Sequence, residues 1–407
     1  MMDFESAAVP YLPIRRRKLM RQRFLIAVVL AALIASVVLT RHHIASEPIG
    51  ERVFNEVATT VSVRYYDRAF HGLDWSSIVD EYRRKVAAAP NESERYHLLA
   101  QMLARLGDSH TAVFSPSEVG RVQDQVAQAL GAAFVTLGRD RVVVRVAPRS
   151  PAATAGLRPG LIVAEQGGAD AHAAMHAFTV RDPVSGRTWK TRLRLVNSGL
   201  YDQVEQADVD WGTAAPGVGY LRMGSFPNDI AEELGWAVSD VSGHRAMVLD
   251  LRGNPGGLID AVDATAGIFL PPGTLVVSGT GRYHFLGSRR FIATGDAQVH
   301  YKGRVAVLVD ANSESGAEAL ASALQIYHRA LIVGEPTAKH VLGVEVEQPL
   351  SDGGLLRVAT LDMRDANGEQ LEGKGVTPDI IVSRTPADVA RGRDPQLQTA
   401  IAALKRL

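Results

Sequence analysis

Cysteine is absent from the 407 residues. Its absence excludes a thiol nucleophile, a cysteinyl zinc site and every disulfide, and it suits an oxidising compartment without requiring one. A surplus of either charge is absent too, since 44 Lys and Arg balance 44 Asp and Glu. No global field therefore points to nucleic acid or to an acidic partner. No internal repeat or low-complexity block interrupts the chain, and its length leaves room for two or three domains.

Charge is nevertheless unevenly placed. The basic run Arg15-Arg-Arg-Lys-Leu-Met-Arg-Gln-Arg23 leads directly into the uncharged stretch Phe24 to Thr40, which is just long enough to cross a bilayer. The expectation is a cytoplasmic basic tail over 1–23 and one transmembrane helix over 24–40, with everything beyond Arg41 on the outer, periplasmic side of the cytoplasmic membrane. An uncleaved anchor is favoured over a cleaved signal peptide, because the apolar run is long and no small-x-small site follows it.

The most informative stretch runs from Val305 to Leu324. Val305 to Val309 is continuously apolar and reads as a buried strand; Ala317, Leu320, Ala321 and Leu324 share one helical face. Ser313 and Ser315 fall on the turn between them. A hydroxyl at a strand-to-helix junction stands clear of the sheet, beside amides that stabilise negative charge. Acyl transfer needs a serine in such a place, although a serine there can also simply cap the helix.

The remaining chain divides by texture. Residues 41–120 read as a helical N-terminal domain, with stripes at Phe54, Val57 and Val61 and at Leu99, Met102, Leu103 and Leu106. Residues 125–198 read as short strands and turns. Residues 203–385 alternate buried strands with helices: a strand from Val218 to Phe226, a helix from Asp229 to Val241, a strand from Ala246 to Arg252, the strand at Val305, and another from Ala330 to Gly334. That alternation implies an α/β core, a mixed sheet flanked by helices, in which chemistry gathers at the carboxyl ends of strands. Residues 386–407 read as a C-terminal amphipathic helix.

The segment with Gly131-Ala-Ala-Phe134, Arg141 to Ala147, Ser150 to Gly160 and Leu161 to Ala164 resembles a PDZ domain. PDZ domains capture an extended C-terminal peptide along a strand edge, with loop amides holding its carboxylate. The resemblance implies that Gly131, Ala132, Ala133 and Phe134 form that loop.

Six motifs occur in one order: Gly107-Asp-Ser-His-Thr111, the PDZ-like segment, Asp250-Leu-Arg-Gly-Asn-Pro-Gly-Gly257, Ser313-Glu-Ser-Gly-Ala-Glu318, Gly334-Glu-Pro-Thr337 and Gly373-Lys-Gly-Val-Thr-Pro-Asp379. Together they resemble the carboxyl-terminal-processing (tail-specific) serine peptidases, which include the tricorn-type proteases. The resemblance implies Ser315, three residues before Glu318, as nucleophile. It also implies an oxyanion hole from the amide of Gly316 with that of Gly256 or Gly257. A phosphate-cradling loop at 254–257 is disfavoured, because the P-loop lysine and its glycine spacing are missing.

Two general bases are implied. Lys339 stands near the lysine of the best-known members, without their flanking glycines and with Gly343 where they carry glutamine. Tricorn-type members resemble this chain in placing a Ser-His pair early and a glutamate just before the Gly-Val-x-Pro-Asp segment, which selects Ser109-His110 and Glu372. The implied function is a membrane-anchored, extracytoplasmic serine endopeptidase that cuts peptides or misfolded proteins recognised by their C-terminal ends. It calls for polypeptide substrates and for no metal, cofactor or nucleic acid. The alternatives are an inactive PDZ and peptidase-like scaffold, or an esterase of the same mechanism.

Overall fold

The computed structural model describes residues 48–406 apart from 120–127, 130, 166–174, 195, 198–208, 229, 284–287 and 296–299. The expected basic tail and transmembrane helix at 24–40 lie outside the described residues. Among the described residues no helix is long and apolar enough to cross a membrane.

Three helices come first: α1 (Ile49–Arg64), α2 (Trp75–Ala87) and α3 (Glu92–Ala104). Asp74 and Asn91 start α2 and α3 by accepting the amides of Ser77 and Glu94, the usual work of short polar side chains at a helix entry. Then follow β1 (Ala112–Phe114), β2 (Gln128–Ala129), β3 (Ala132–Leu137), β4 (Asp140–Val146), α4 (Pro151–Thr154), β5 (Ile162–Glu165), β6 (Met175–Arg181), β7 (Thr188–Arg194) and β8 (Val196–Asn197). The core contributes β9 (Val209–Ala215), β10 (Val218–Met223), α5 (Ile230–Val241), β11 (Ala246–Asp250), α6 (Ile259–Phe269), β12 (Leu275–Gly281), β13 (Arg289–Ile292), β14 (Arg304–Val309), α7 (Gly316–Ile326) and β15 (Ala330–Gly334). The chain closes with β16 (Leu342–Pro349), β17 (Leu355–Arg364), β18 (Ile380–Ile381), α8 (Pro386–Ala390) and α9 (Pro395–Arg406).

The central sheet has the order β18-β15-β14-β11-β10-β9, parallel throughout except for β9. Val305 to Val309 are buried on both faces, which is why this strand reads as an unbroken apolar run. Burying each such side chain contributes on the order of 1.5–3 kcal/mol. Helices α5, α6 and α7 cover one face, and α9 covers the other through Ala400 and Leu404. The mixed sheet with helices on both sides is thus the expected architecture.

A second sheet was not legible in advance. Its long strand β17 pairs with β16 along one edge and with β1 and β12 along the other, and β13 extends it. Leu342, Leu356, Val358 and Ala359 share one hydrophobic core with α1, α2 and α3, so the N-terminal helices pack on this sheet rather than around a core of their own. The third sheet, β3-β4-β5-β6-β7, is antiparallel with a small core of its own around Val143, Leu161 and Phe178. The C-terminal segment is two helices instead of one. Gly392, in the left-handed region, and Pro395 break it, and Val389 of α8 docks on Leu137, Val142 and Ile162 of the third sheet.

Candidate active site

Strands β11 and β14 are parallel neighbours, with Asp250 opposite Leu308, so their carboxyl ends bring two loops together. Asp310 Oδ1 joins the loops by accepting the amides of Gly253 at 3.0 Å and Asn312 at 2.9 Å. Ser313 is fully buried. Its hydroxyl donates to the Leu251 carbonyl at 2.8 Å and accepts the Asp310 amide at 3.0 Å, which commits it to holding the turn. Ser315 remains, half-buried at the start of α7, with φ 54° and ψ −111°. A non-glycine residue there costs on the order of 1–3 kcal/mol. The cost is offset by the Ser315 amide, which donates to the His340 carbonyl at 2.9 Å and to Glu318 Oε2 at 3.1 Å.

Gly256 and Gly257 press against this turn. A Cβ on Gly256 would lie 2.7 Å from both Ser315 Cβ and the Gly316 nitrogen, and one on Gly257 would lie 2.3 Å from the Phe226 carbonyl oxygen. Both residues also have positive φ, so only glycine fits. The Gly256 amide donates to Asn254 Oδ1 at 2.8 Å. That corrects the expectation for Gly256, whose N–H is already spent. The amides of Gly257 and Gly316 have no partner among the described residues, and the latter is the first amide of α7, where a helix leaves its donors open.

Glu318 is fully buried and organises what faces Ser315. It accepts from the Thr337 hydroxyl and from the amides of Lys339, His340 and Ser315. Burial raises its pKa, and these four donors oppose the shift. The carboxylate thereby fastens the loop after β15 to the turn that carries Ser315.

His110 arrives from the turn between α3 and β1. Glu372 accepts the Ser109 amide at 3.1 Å, the Ser109 hydroxyl at 3.0 Å and the Val341 amide at 2.7 Å. Ser109 Oγ lies 2.6 Å from His110 Nδ1. A serine has one proton to give. Because Ser109 donates it to Glu372, the bond to the imidazole requires Nδ1–H as donor, which leaves Nε2 with its lone pair. Burial lowers the His110 pKa below its ordinary value, against the charges of Glu372, Glu314 and Asp108 and together with that of His340. Glu314, directly before Ser315, and His340, whose carbonyl accepts the Ser315 amide, are thus among the charged groups that bear on the imidazole. A half-buried neutral imidazole with one nitrogen anchored and the other free has the character of a general base.

Peptidase family S41 matches residues 217–382 and the tricorn protease C1 domain matches residues 51–104. Residues 217–382 are a peptidase family S41 domain. The chloroplastic C-terminal processing peptidase of Tetradesmus obliquus is 26% identical over 359 residues, covering 81% of this chain and 76% of that one. The carboxyl-terminal-processing protease of Synechocystis is 26% identical over 369 residues, covering 84% and 83%. Among solved structures, a photosystem II D1 C-terminal processing protease matches with a TM-score of 0.61 at 24% identity, over 84% of this chain and 94% of that one, which is a likeness of fold.

In this S41 serine peptidase Lys339 does not stand as the dyad reading requires. Its side chain is exposed and its ammonium has no hydrogen bond or ion pair among the described residues. Only its backbone is held, the amide by Glu318 and the carbonyl by the Gly373 amide. A lysine base needs desolvation, and nothing encloses this one.

The expected peptide-binding loop is also reshaped. Gly131 alone is a turn residue, and Ala132, Ala133 and Phe134 open the edge strand β3. Asn312, three residues before Ser315, donates to the Thr136 carbonyl on that strand at 2.9 Å. Between β3 and the core lies a cavity of about 220 Å³, lined in part by Ala133, Arg222 and Arg384, which none of Ser315, His110 and Glu372 borders. Sequence reasoning gave no role to the Ser109 hydroxyl, to Glu318 as a clamp or to Asn254. Ser109 and Glu318 were visible in the motifs, but only the fold shows what they touch.

Proposed function

We propose that this peptidase acts through Ser315 as nucleophile and His110 as general base, with Ser109 and Glu372 orienting the imidazole. The observation that carries the reading is the hydrogen-bonded chain Glu372–Ser109–His110, which favours the tautomer with Nε2 unprotonated. Nε2 takes the Ser315 proton as Oγ bonds to the scissile carbonyl carbon, and the amides of Gly316 and Gly257 receive the oxyanion. The imidazolium, stabilised through Ser109 by the Glu372 carboxylate, then protonates the leaving amine. Water, deprotonated by the same nitrogen, attacks the acyl-enzyme and frees the serine.

The substrates in this reading are peptides or misfolded proteins selected by their C-terminal ends. It is supported by the names of the relatives and by the edge strand β3, whose outer side is suited to adding an extended peptide in the manner of a PDZ domain. The same reading takes residues 24–40 as a membrane anchor and the catalytic part as extracytoplasmic.

Ser315→Ala tests the chemistry. The variant should keep the wild-type melting temperature, lose labelling by a fluorophosphonate probe and lose cleavage of casein. Undiminished cleavage would remove Ser315 from the mechanism.

A further inference from the structure

The turn that presents His110 contains a second carboxylate. Asp108 Oδ1 accepts the His110 amide at 2.8 Å and the Thr111 amide at 2.6 Å, closing the turn as short acidic side chains do. Thr111 is itself tied to the second sheet, since its hydroxyl accepts the Ala359 amide at 3.2 Å. The other oxygen, Asp108 Oδ2, is buried and has no partner among the described residues; the same holds for the Tyr65 hydroxyl at the end of α1. After burial, the Asp108 charge and the contact with its carboxylate are among the causes that raise the Tyr65 phenol far above its ordinary range. Tyr65 thus keeps its proton and is available to donate it, directly or through one water.

A carboxylate needed only to close a turn could leave its second oxygen in water. Here that oxygen is kept inside the protein, in the turn that carries the imidazole. We propose that Asp108 is a positioning residue of the peptidase: it fixes His110 through the backbone and holds a negative charge beside the imidazole, with the Tyr65 hydroxyl supporting that charge. As the proton passes from Ser315 to Nε2, the ring becomes positive and the Asp108 charge stabilises it. The proposal rests on the reading of His110 as the base. The other charged and titratable groups that bear on the ring are Glu372 across Ser109, Glu314 from the serine turn and His340 from the loop after β15. Of the three carboxylates, Asp108 alone shares the turn with His110.

Two substitutions remove the charge while keeping an acceptor for the turn amides: Asp108→Asn, which is isosteric, and Asp108→Ser, whose hydroxyl closes such turns more weakly. Each should move the acid limb of the kcat/KM profile to lower pH by roughly half a unit to one unit. Each should also lower the plateau by about three- to tenfold. Tyr65→Phe, which leaves Asp108 in place, should move the limb the same way by less, and it carries the test if the Asp108 variants fail to fold. A role confined to shaping the turn would lower the plateau and leave the limb where it is; that outcome, or a wild-type profile, overturns the proposal. His110→Ala, measured alongside, separates the two readings. Full activity there removes the base assignment itself, whereas an inactive His110→Ala with unmoved limbs removes only the role of Asp108.

Discussion

Replacing Glu372 by glutamine tests the relay with almost no change of shape. The carboxylate accepts three hydrogen bonds, two on Oε2 from Ser109 Oγ and Val341 N and one on Oε1 from Ser109 N. An amide can present only one oxygen. If its nitrogen takes the Oε1 position, it faces the Ser109 N–H, donor against donor, and the Ser109 hydroxyl then donates to a neutral carbonyl. The loss is that of a charge-assisted hydrogen bond, about 1.5–3 kcal/mol, or roughly 10- to 150-fold in kcat/KM. If the nitrogen takes the Oε2 position, it donates to Ser109 Oγ, the serine proton turns to His110 Nδ1 and Nε2 carries the hydrogen. The imidazole is then in the wrong tautomer, for which losses of about 10⁴-fold are known in serine triads. The assay is kcat/KM on an internally quenched peptide, with circular dichroism and melting temperature confirming the fold. Activity within threefold of wild type in a folded Glu372→Gln variant would refute the relay.

Two further outcomes follow from the same structure. Lys339→Ala should leave kcat/KM within about threefold, because the side chain is exposed and its ammonium has no partner among the described residues; a hundredfold loss on the same peptide would restore the Ser-Lys dyad. On α6, burial raises the Asp263 pKa to about 7, with only the Ile292 amide donating to Oδ2 and with Oδ1 unpartnered among the described residues. An acid raised on folding contributes stability that is complete below its unfolded pKa of 3.8 and is lost as pH rises through about 7. Asp263→Asn should therefore stabilise the protein more at pH 8 than at pH 5, by an amount on the order of 2–3 kcal/mol at most. Equal denaturant midpoint shifts at the two pH values would count against that burial.

The parts that could be read from sequence are those where one physical requirement dominates. Val305 to Val309 is apolar because it is covered on both faces, and Ala330–Gly334 reads as a strand for a similar reason. Residues 342–364 gave no such pattern. Strand β17 contributes Leu356, Val358 and Ala359 to the core of the N-terminal helices and Leu361 and Met363 to the core of the central sheet, so its buried residues do not follow one alternation. The turn that carries Ser315 could be placed because it is local. The base could not be decided, since His110 and Lys339 differ in burial and partners rather than in anything their neighbours spell out. Gly256 and Gly257 look equivalent in the sequence, and one hydrogen bond from the first to Asn254 separates them.

Residues 110, 315 and 372 come from three distant parts of the chain, and Glu372 follows the other two. Synthesis proceeds from the amino end and domains fold as they emerge. A growing polypeptide therefore carries the serine and the imidazole for some time before the carboxylate that aligns them exists. In the proposed mechanism, a nascent chain is thus less able to cleave itself until Glu372 is in place.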